Sequence, residues 1–82
     1  MIEIYSKTDC PYCEMAKVAM RGYRVQFTEY VIGSDITREE FFQKFPNART
    51  VPQIILNGHH IGGYNDLTEW MKHNDLRNFF KG

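Results

Sequence analysis

The sequence predicts an α/β fold, a four-stranded mixed sheet with three flanking helices in the order β-α-β-α-β-β-α. Three observations carry this expectation. Ile2 and Ile4 alternate with polar residues at the start of the chain, the period of a half-buried strand. Cys10-Pro11 and the pair Thr37 and Glu40 mark two helix starts, through the preference for proline at the first helical position and the capping box. Asn57-Gly58 follows the apolar run Ile54-Ile55-Leu56 and is a strong hairpin signal.

Taken in order, the first strand covers Ile2 and Ile4. The helix opened by Cys10-Pro11 repeats Met15, Ala16, Ala19 and Met20 on one face, and Gly22 fits the stop position just past it. Tyr23, Val25 and Phe27 alternate again, giving a second strand that runs to about Val31. Two strands joined by a helix are expected to pair in parallel through a right-handed crossover. Gly33-Ser34-Asp35 reads as a turn. Phe41, Phe42 and Phe45 supply the buried face of the second helix, which Pro46 ends. Ile54-Ile55-Leu56 and a strand near His60-Ile61 form the hairpin, and Gly62-Gly63 breaks it. Asp66, with Glu69 three residues on, can cap a last helix carrying Leu67, Trp70 and Met71. Phe79 and Phe80 are expected to dock the C-terminus against the body.

A chain of 82 residues with 43% hydrophobic content has room for one domain, residues 1–82, and one modest core without staples. Ten basic and ten acidic residues cancel, which argues against nucleic acid as a partner beyond a local patch. No apolar run approaches the roughly 18 residues needed to span a bilayer. Met1 to Tyr5 reads at once as a strand, not as a secretory signal. The expectation is a cytoplasmic monomer, in a compartment where thiols stay reduced. There, two cysteines point to catalysis or metal rather than to a staple.

In Cys10-Pro11-Tyr12-Cys13 the two thiols stand three positions apart across a helix start. Positions i and i+3 share a helix face, so the sulfurs can join or separate with little backbone change. Pro11 at the first helical position places Cys10 at the cap, where the unpaired N–H groups of the first turn aim at its sulfur. Bringing a cysteine from about 8.5 to about 6.5 takes roughly 2.7 kcal/mol of preference for the thiolate. A helix dipole typically supplies about 0.3–1 kcal/mol and rarely ~2. Direct N–H···S bonds must therefore help, and Lys7 is a candidate for further positive charge. Cys10 is the expected nucleophile and the less exposed Cys13 the resolving thiol. The competing explanations are weaker. A structural disulfide would close too short a loop to contribute much entropy. A zinc site would have only His59, His60 and His73 besides the cysteines, at spacings matching no common module, so no metal is expected.

Two further segments admit two explanations each. In Thr50-Val51-Pro52, proline is either strand punctuation or a cis residue that turns the Val51 backbone outward to an extended peptide. Gly62-Gly63-Tyr64-Asn65-Asp66 is either a tight turn or a helix N-terminus for a carboxylate, with Asp66 nearby to accept from an ammonium group. His59-His60 reads as exposed hairpin, with no role assigned.

Cys10-Pro11-Tyr12-Cys13, Thr50-Val51-Pro52 and Gly62-Gly63 with Asp66 together resemble the dithiol glutaredoxins, in order and over nearly the whole chain. The resemblance implies a thioredoxin-like fold and a glutathione-dependent disulfide oxidoreductase. Carried across by motif, Cys10 would attack and Cys13 would resolve. Lys7 and Tyr12 would flank glutathione, and Arg49 would approach its glycine carboxylate. Thr50, Val51 and Pro52 would line the groove, with Val51 pairing to the cysteinyl backbone. Gly63, Tyr64, Asn65 and Asp66 would hold the γ-glutamyl end. Many relatives carry Gln or Arg in the second helix for the same carboxylate. Here the neighbourhood is Thr37-Arg38-Glu39-Glu40, where Arg38 would serve and Glu39 would repel. Disulfide-containing or glutathionylated proteins are the implied partners, ribonucleotide reductase among them. The alternatives are a redoxin reduced by thioredoxin reductase, or a glutathione-ligated iron–sulfur carrier, which the resemblance implies Pro11 disfavours.

Overall fold

A computed structural model describes residues 1–75. Its elements are β1 (Ile2–Ser6), α1 (Pro11–Gly22), β2 (Thr28–Val31), α2 (Arg38–Lys44), β3 (Gln53–Leu56), β4 (His59–Gly62) and α3 (Tyr64–His73). The expected order holds throughout. The sheet runs β2-β1-β3-β4, with β1 and β2 parallel and the β1–β3 and β3–β4 pairs antiparallel.

Period-two alternation sends successive residues to opposite faces of the sheet, and each face has its own core. Ile2, Ile4, Ile54 and Leu56 meet Ala16 and Met20 of α1 and Leu67 of α3. Tyr5 and Ile55 meet Phe41 and Phe45 on the α2 side. Tyr5 stacks on Tyr30 with centroids 4.8 Å apart and takes Phe45 edge-on at 5.0 Å. Asn57 and Gly58 turn the β3–β4 hairpin with φ of 48° and 85°, the two positive values a type I′ turn requires. The capping box of α2 is complete, since Glu40 N–H donates to Thr37 Oγ1 at 3.0 Å and Thr37 N–H to Glu40 Oε1 at 2.9 Å. The bond from the Thr37 backbone holds the Glu40 carboxyl below its usual range.

Five expectations are corrected. The buried stripe of α1 is Cys13, Ala16, Lys17 and Met20, while Met15 is 45% exposed and Ala19 only half-buried. The stripe has the spacing i, i+3, i+4, i+7, but a lysine stands in its middle, so hydropathy shifts the apparent face. Gly22 is the last helical residue, and the left-handed residue of the exit is Arg24, at φ 58°. β2 begins at Thr28, five residues later than the alternation from Tyr23 implies. Residues 23–25 close α1 instead, with Val25 N–H returning to Met20 O at 3.3 Å. Tyr23, Val25 and Phe27 pack on the first core, so their alternation reports burial and not sheet pairing. Phe42 is 41% exposed and only Phe41 and Phe45 face the core. Gly63, not Asp66, caps α3, and Asp66 stands at the third helical position. The docking expected of Phe79 and Phe80 lies outside the described residues. Among those described, no helix is long and apolar enough to cross a membrane.

Lys17 owes its burial to its partners. Its Nζ lies 2.9 Å from Glu29 Oε2 of β2 and also pairs with Glu14 one turn earlier. The buried Ser6 donates its hydroxyl to the same Glu29 oxygen at 2.6 Å. Bonds to Glu14 and then Glu29 hold the Lys17 ammonium above its usual value. Burial alone would raise the Glu29 carboxyl, but Lys17 and Ser6 outweigh it and the net shift is downward. A depressed carboxyl contributes stability above its unfolded value, and that stability is lost as pH falls through the folded value. Glu29→Gln should therefore cost roughly 1–3 kcal/mol near neutrality, by leaving the ammonium buried with one weaker partner. Urea titrations at several pH values should show the deficit shrinking as pH falls below about 4.5, the usual glutamate value.

Candidate active site

β1 ends at Ser6, and the chain reaches α1 through a short loop in which Asp9 adopts φ 57°, a conformation that aspartate tolerates better than most residues. Cys10 follows with extended backbone (φ −112°, ψ 102°) and is the N-cap of α1. Pro11, at the first helical position, has no N–H to leave unpaired. Cys13 N–H donates to Cys10 Sγ at 3.2 Å, the bond the cap position was expected to provide. The two cysteines form a disulfide, with Cα atoms 5.2 Å apart. Cys10 is 7% exposed and Cys13 0%, so a partner sulfur reaches Cys10 first.

Across from α1 stands the loop before β3. The Val51–Pro52 peptide is cis, which decides between the two explanations of that proline. Val51 O lies 3.7 Å from Cys10 Sγ. The third side is the start of α3, where Tyr64 meets the Tyr12 ring at 5.9 Å between centroids. Asp66 Oδ2 accepts from Gly63 N–H at 2.9 Å, and a carboxylate keeps a second oxygen for another donor.

These three segments enclose a cleft of about 650 Å³. Tyr12, Arg49, Thr50, Val51, Pro52, Gly63, Tyr64, Asn65 and Asp66, all singled out from sequence, line it. Lys7 does not. It lines an adjoining cavity of about 340 Å³ with Arg38, Arg49, Phe42, Thr50 and Val51. Arg38 is thus on the groove side of α2, and Glu39 is absent from the lining of both cavities. Sequence reasoning passed over Gln53 and His60, which also line the larger cleft. A glutamine directly after the proline was the only signal available for the first.

The arrangement can exchange disulfides: a sulfur at a helix N-terminus that a partner reaches first, a fully buried sulfur one turn on, and a peptide-sized cleft beside them. Comparison with known proteins agrees. The glutaredoxin family model matches residues 2–61. The chain belongs to the glutaredoxin family. It is 41% identical to glutaredoxin 3 of Escherichia coli over 66 residues, 80% of each chain. Glutaredoxin 1 from Francisella tularensis, crystallised with cacodylate, superposes with a TM-score of 0.76 at 29% identity, over 87% of this chain and 91% of that one. A buckwheat glutaredoxin–glutathione complex superposes with a TM-score of 0.78 at 26% identity, over 95% of this chain and 74% of that one. The chain is accordingly a thiol–disulfide oxidoreductase of the dithiol type with a thioredoxin-like fold.

Gly62 holds the turn into α3 open. Its φ is 121°, and a Cβ there would overlap the Asp66 carboxylate. Gly62→Ala should lower stability by about 1–3 kcal/mol and push Asp66 off the Gly63 N–H. Thermal unfolding would register the first effect, and faster hydrogen exchange at the Gly63 amide the second.

Proposed function

We propose that this chain is a cytoplasmic, glutathione-dependent reductase of protein disulfides and glutathione mixed disulfides, with Cys10 as nucleophile. The observation that carries this is the cleft beside Cys10, lined by Thr50–Pro52 on one side and Gly63–Asp66 on another. The buckwheat relative was crystallised with glutathione, and the likeness to it supports the same ligand here.

Cys10 thiolate attacks one sulfur of a disulfide R–S–S–R′, forming Cys10–S–S–R and releasing R′S⁻. Cys13 gives up its proton and attacks Cys10 Sγ, RS⁻ departs, and the intramolecular disulfide remains. One glutathione thiolate then attacks Cys10 Sγ and frees the Cys13 thiolate. A second attacks the glutathione sulfur, releasing glutathione disulfide and restoring Cys10 thiolate. With a glutathione mixed disulfide, Cys10 takes the glutathione directly and Cys13 is dispensable.

Each end of glutathione has a matching surface. Lys7, Arg38 and Arg49 meet at the adjoining cavity, a cationic setting for the glycine carboxylate. The Val51 backbone offers strand-like pairing to the cysteinyl residue. The N-terminus of α3 suits the γ-glutamyl carboxylate, and the second oxygen of Asp66 suits its ammonium. Tyr12 and Tyr64 wall the middle. Protein partners, ribonucleotide reductase included, would have to present a disulfide to the same sulfur.

An assay with glutathione, glutathione reductase, NADPH and a small glutathione mixed disulfide tests this. Wild type and Cys13→Ser should both turn over, and Cys10→Ser should be inactive. Wild type that turns over only when thioredoxin reductase replaces the glutathione system would sink the glutathione assignment while leaving the cysteine chemistry intact. In the same assay, Arg38→Glu should raise the KM for glutathione about tenfold, or ~1.4 kcal/mol, with kcat little changed.

A further inference from the structure

Gln53 is the first residue of β3 and is 6% exposed. A glutamine this deeply buried must satisfy both ends of its amide. Its Nε2 donates to Thr50 O at 2.8 Å, and its Oε1 lies 2.7 Å from His60 Nε2 on β4. Because the amide nitrogen is committed to Thr50, the oxygen faces the imidazole, so His60 Nε2 carries a proton and donates it. The ring of His60 also rests on Phe45 at the end of α2, with centroids 4.7 Å apart.

The consequence lies in the peptide plane that follows Thr50. In a trans peptide the C=O and the next N–H point in opposite directions. Drawing Thr50 O toward Gln53 therefore aims Val51 N–H away from Gln53. Val51 lines both cavities and its own carbonyl stands 3.7 Å from Cys10 Sγ. The backbone donor that a peptide thiol would use is thus oriented by a side-chain chain, His60 to Gln53 to Thr50, none of which is a cysteine or a charge.

We infer that Gln53 and His60 are positioning residues: they fix the Thr50–Val51 peptide plane so that Val51 N–H receives the cysteinyl carbonyl of glutathione. The inference rests on the glutathione reading above. Its effect is on binding of a peptide-bearing thiol, not on the reactivity of Cys10.

Gln53→Met keeps the length of the side chain and removes both polar ends. His60→Phe keeps a ring against Phe45 and removes the donor, and His60→Gln returns one. Two rates are measured for each variant: turnover against glutathione concentration, and single-turnover attack of the reduced protein on dithiodipyridine, a disulfide with no peptide to pair. Gln53→Met and His60→Phe should raise the KM for glutathione about fivefold to tenfold, the size of one lost hydrogen bond. Their kcat and dithiodipyridine rates should stay within about twofold of wild type, and His60→Gln should regain most of the lost affinity. Equal losses in both rates would make the pair merely structural and overturn the inference. So would wild-type KM values in Gln53→Met and His60→Phe. If Gln53→Met fails to fold, His60→Phe and His60→Gln decide alone. Wild type that shows no saturation with glutathione overturns the glutathione reading and this inference together, a result distinct from either of the others.

Discussion

The bond from Cys13 N–H to Cys10 Sγ is the contact on which the rest of the site depends. It exists because α1 begins at Pro11, so the first free N–H groups of the helix fall where the sulfur of the cap residue hangs over them. A dipole of the usual strength does not supply the roughly 2.7 kcal/mol needed to move a thiol by about two units. A direct bond to sulfur adds to it only if the helix end is held still. Ala16 and Met20, pressed between the sheet and α3, provide that hold, and Cys13 sits on the same stripe with no exposure. Moving α1 by half a turn would take the N–H from the sulfur and the resolving thiol from its shelter at once.

Lys17 ties that helix to the sheet in a second way. A hydrophobic residue in its place would bury area without cost, whereas the lysine must be matched by Glu29, Glu14 and Ser6. The match is made between α1 and β2, the strand that follows it in the chain. Since an ion pair with hydrogen bonds tolerates little displacement, it specifies where α1 lies along β2 more sharply than Ala16 or Met20 can. The helix that carries both cysteines is thereby referenced to the strand beside β1, from which the loop to Cys10 departs.

What could be read from sequence follows from how local each signal is. The capping box of α2, the Asn57-Gly58 turn and Pro11 act over three or four residues and all stand as expected. The element order followed from them, and the Thr50–Pro52 and Gly63–Asp66 walls of the cleft from the resemblance, whereas the lining from Lys44 to Ala48 and at Gln53 and His60 did not. The errors arose where a residue's surroundings come from elsewhere in the chain. Met15 reads as core until Lys17 is given Glu29 as a partner. Tyr23, Val25 and Phe27 read as a strand because burial and pairing leave the same alternation, and only the turn at Arg24 separates them.

His60 is the clearest case of this nonlocality. Next to His59 in a hairpin, with both residues exposed, it has nothing in its neighbours to mark it. Its surroundings come from the strand register. His60 stands opposite Ile55, and a bulge follows, so that Gly62 and not Ile61 stands opposite Ile54. Opposed residues share a face, which puts His60 on the α2 side with Ile55 and, two residues back along the strand, Gln53. That diagonal lets an imidazole on β4 reach an amide that begins β3, beside the cis proline. The extra residue of the bulge, Ile61, turns back to the first core, and Gly62 then opens the way into α3. One irregularity in pairing thus serves two walls of the cleft, the Thr50–Pro52 segment through Gln53 and the Gly63–Asp66 segment through the turn that Gly62 makes.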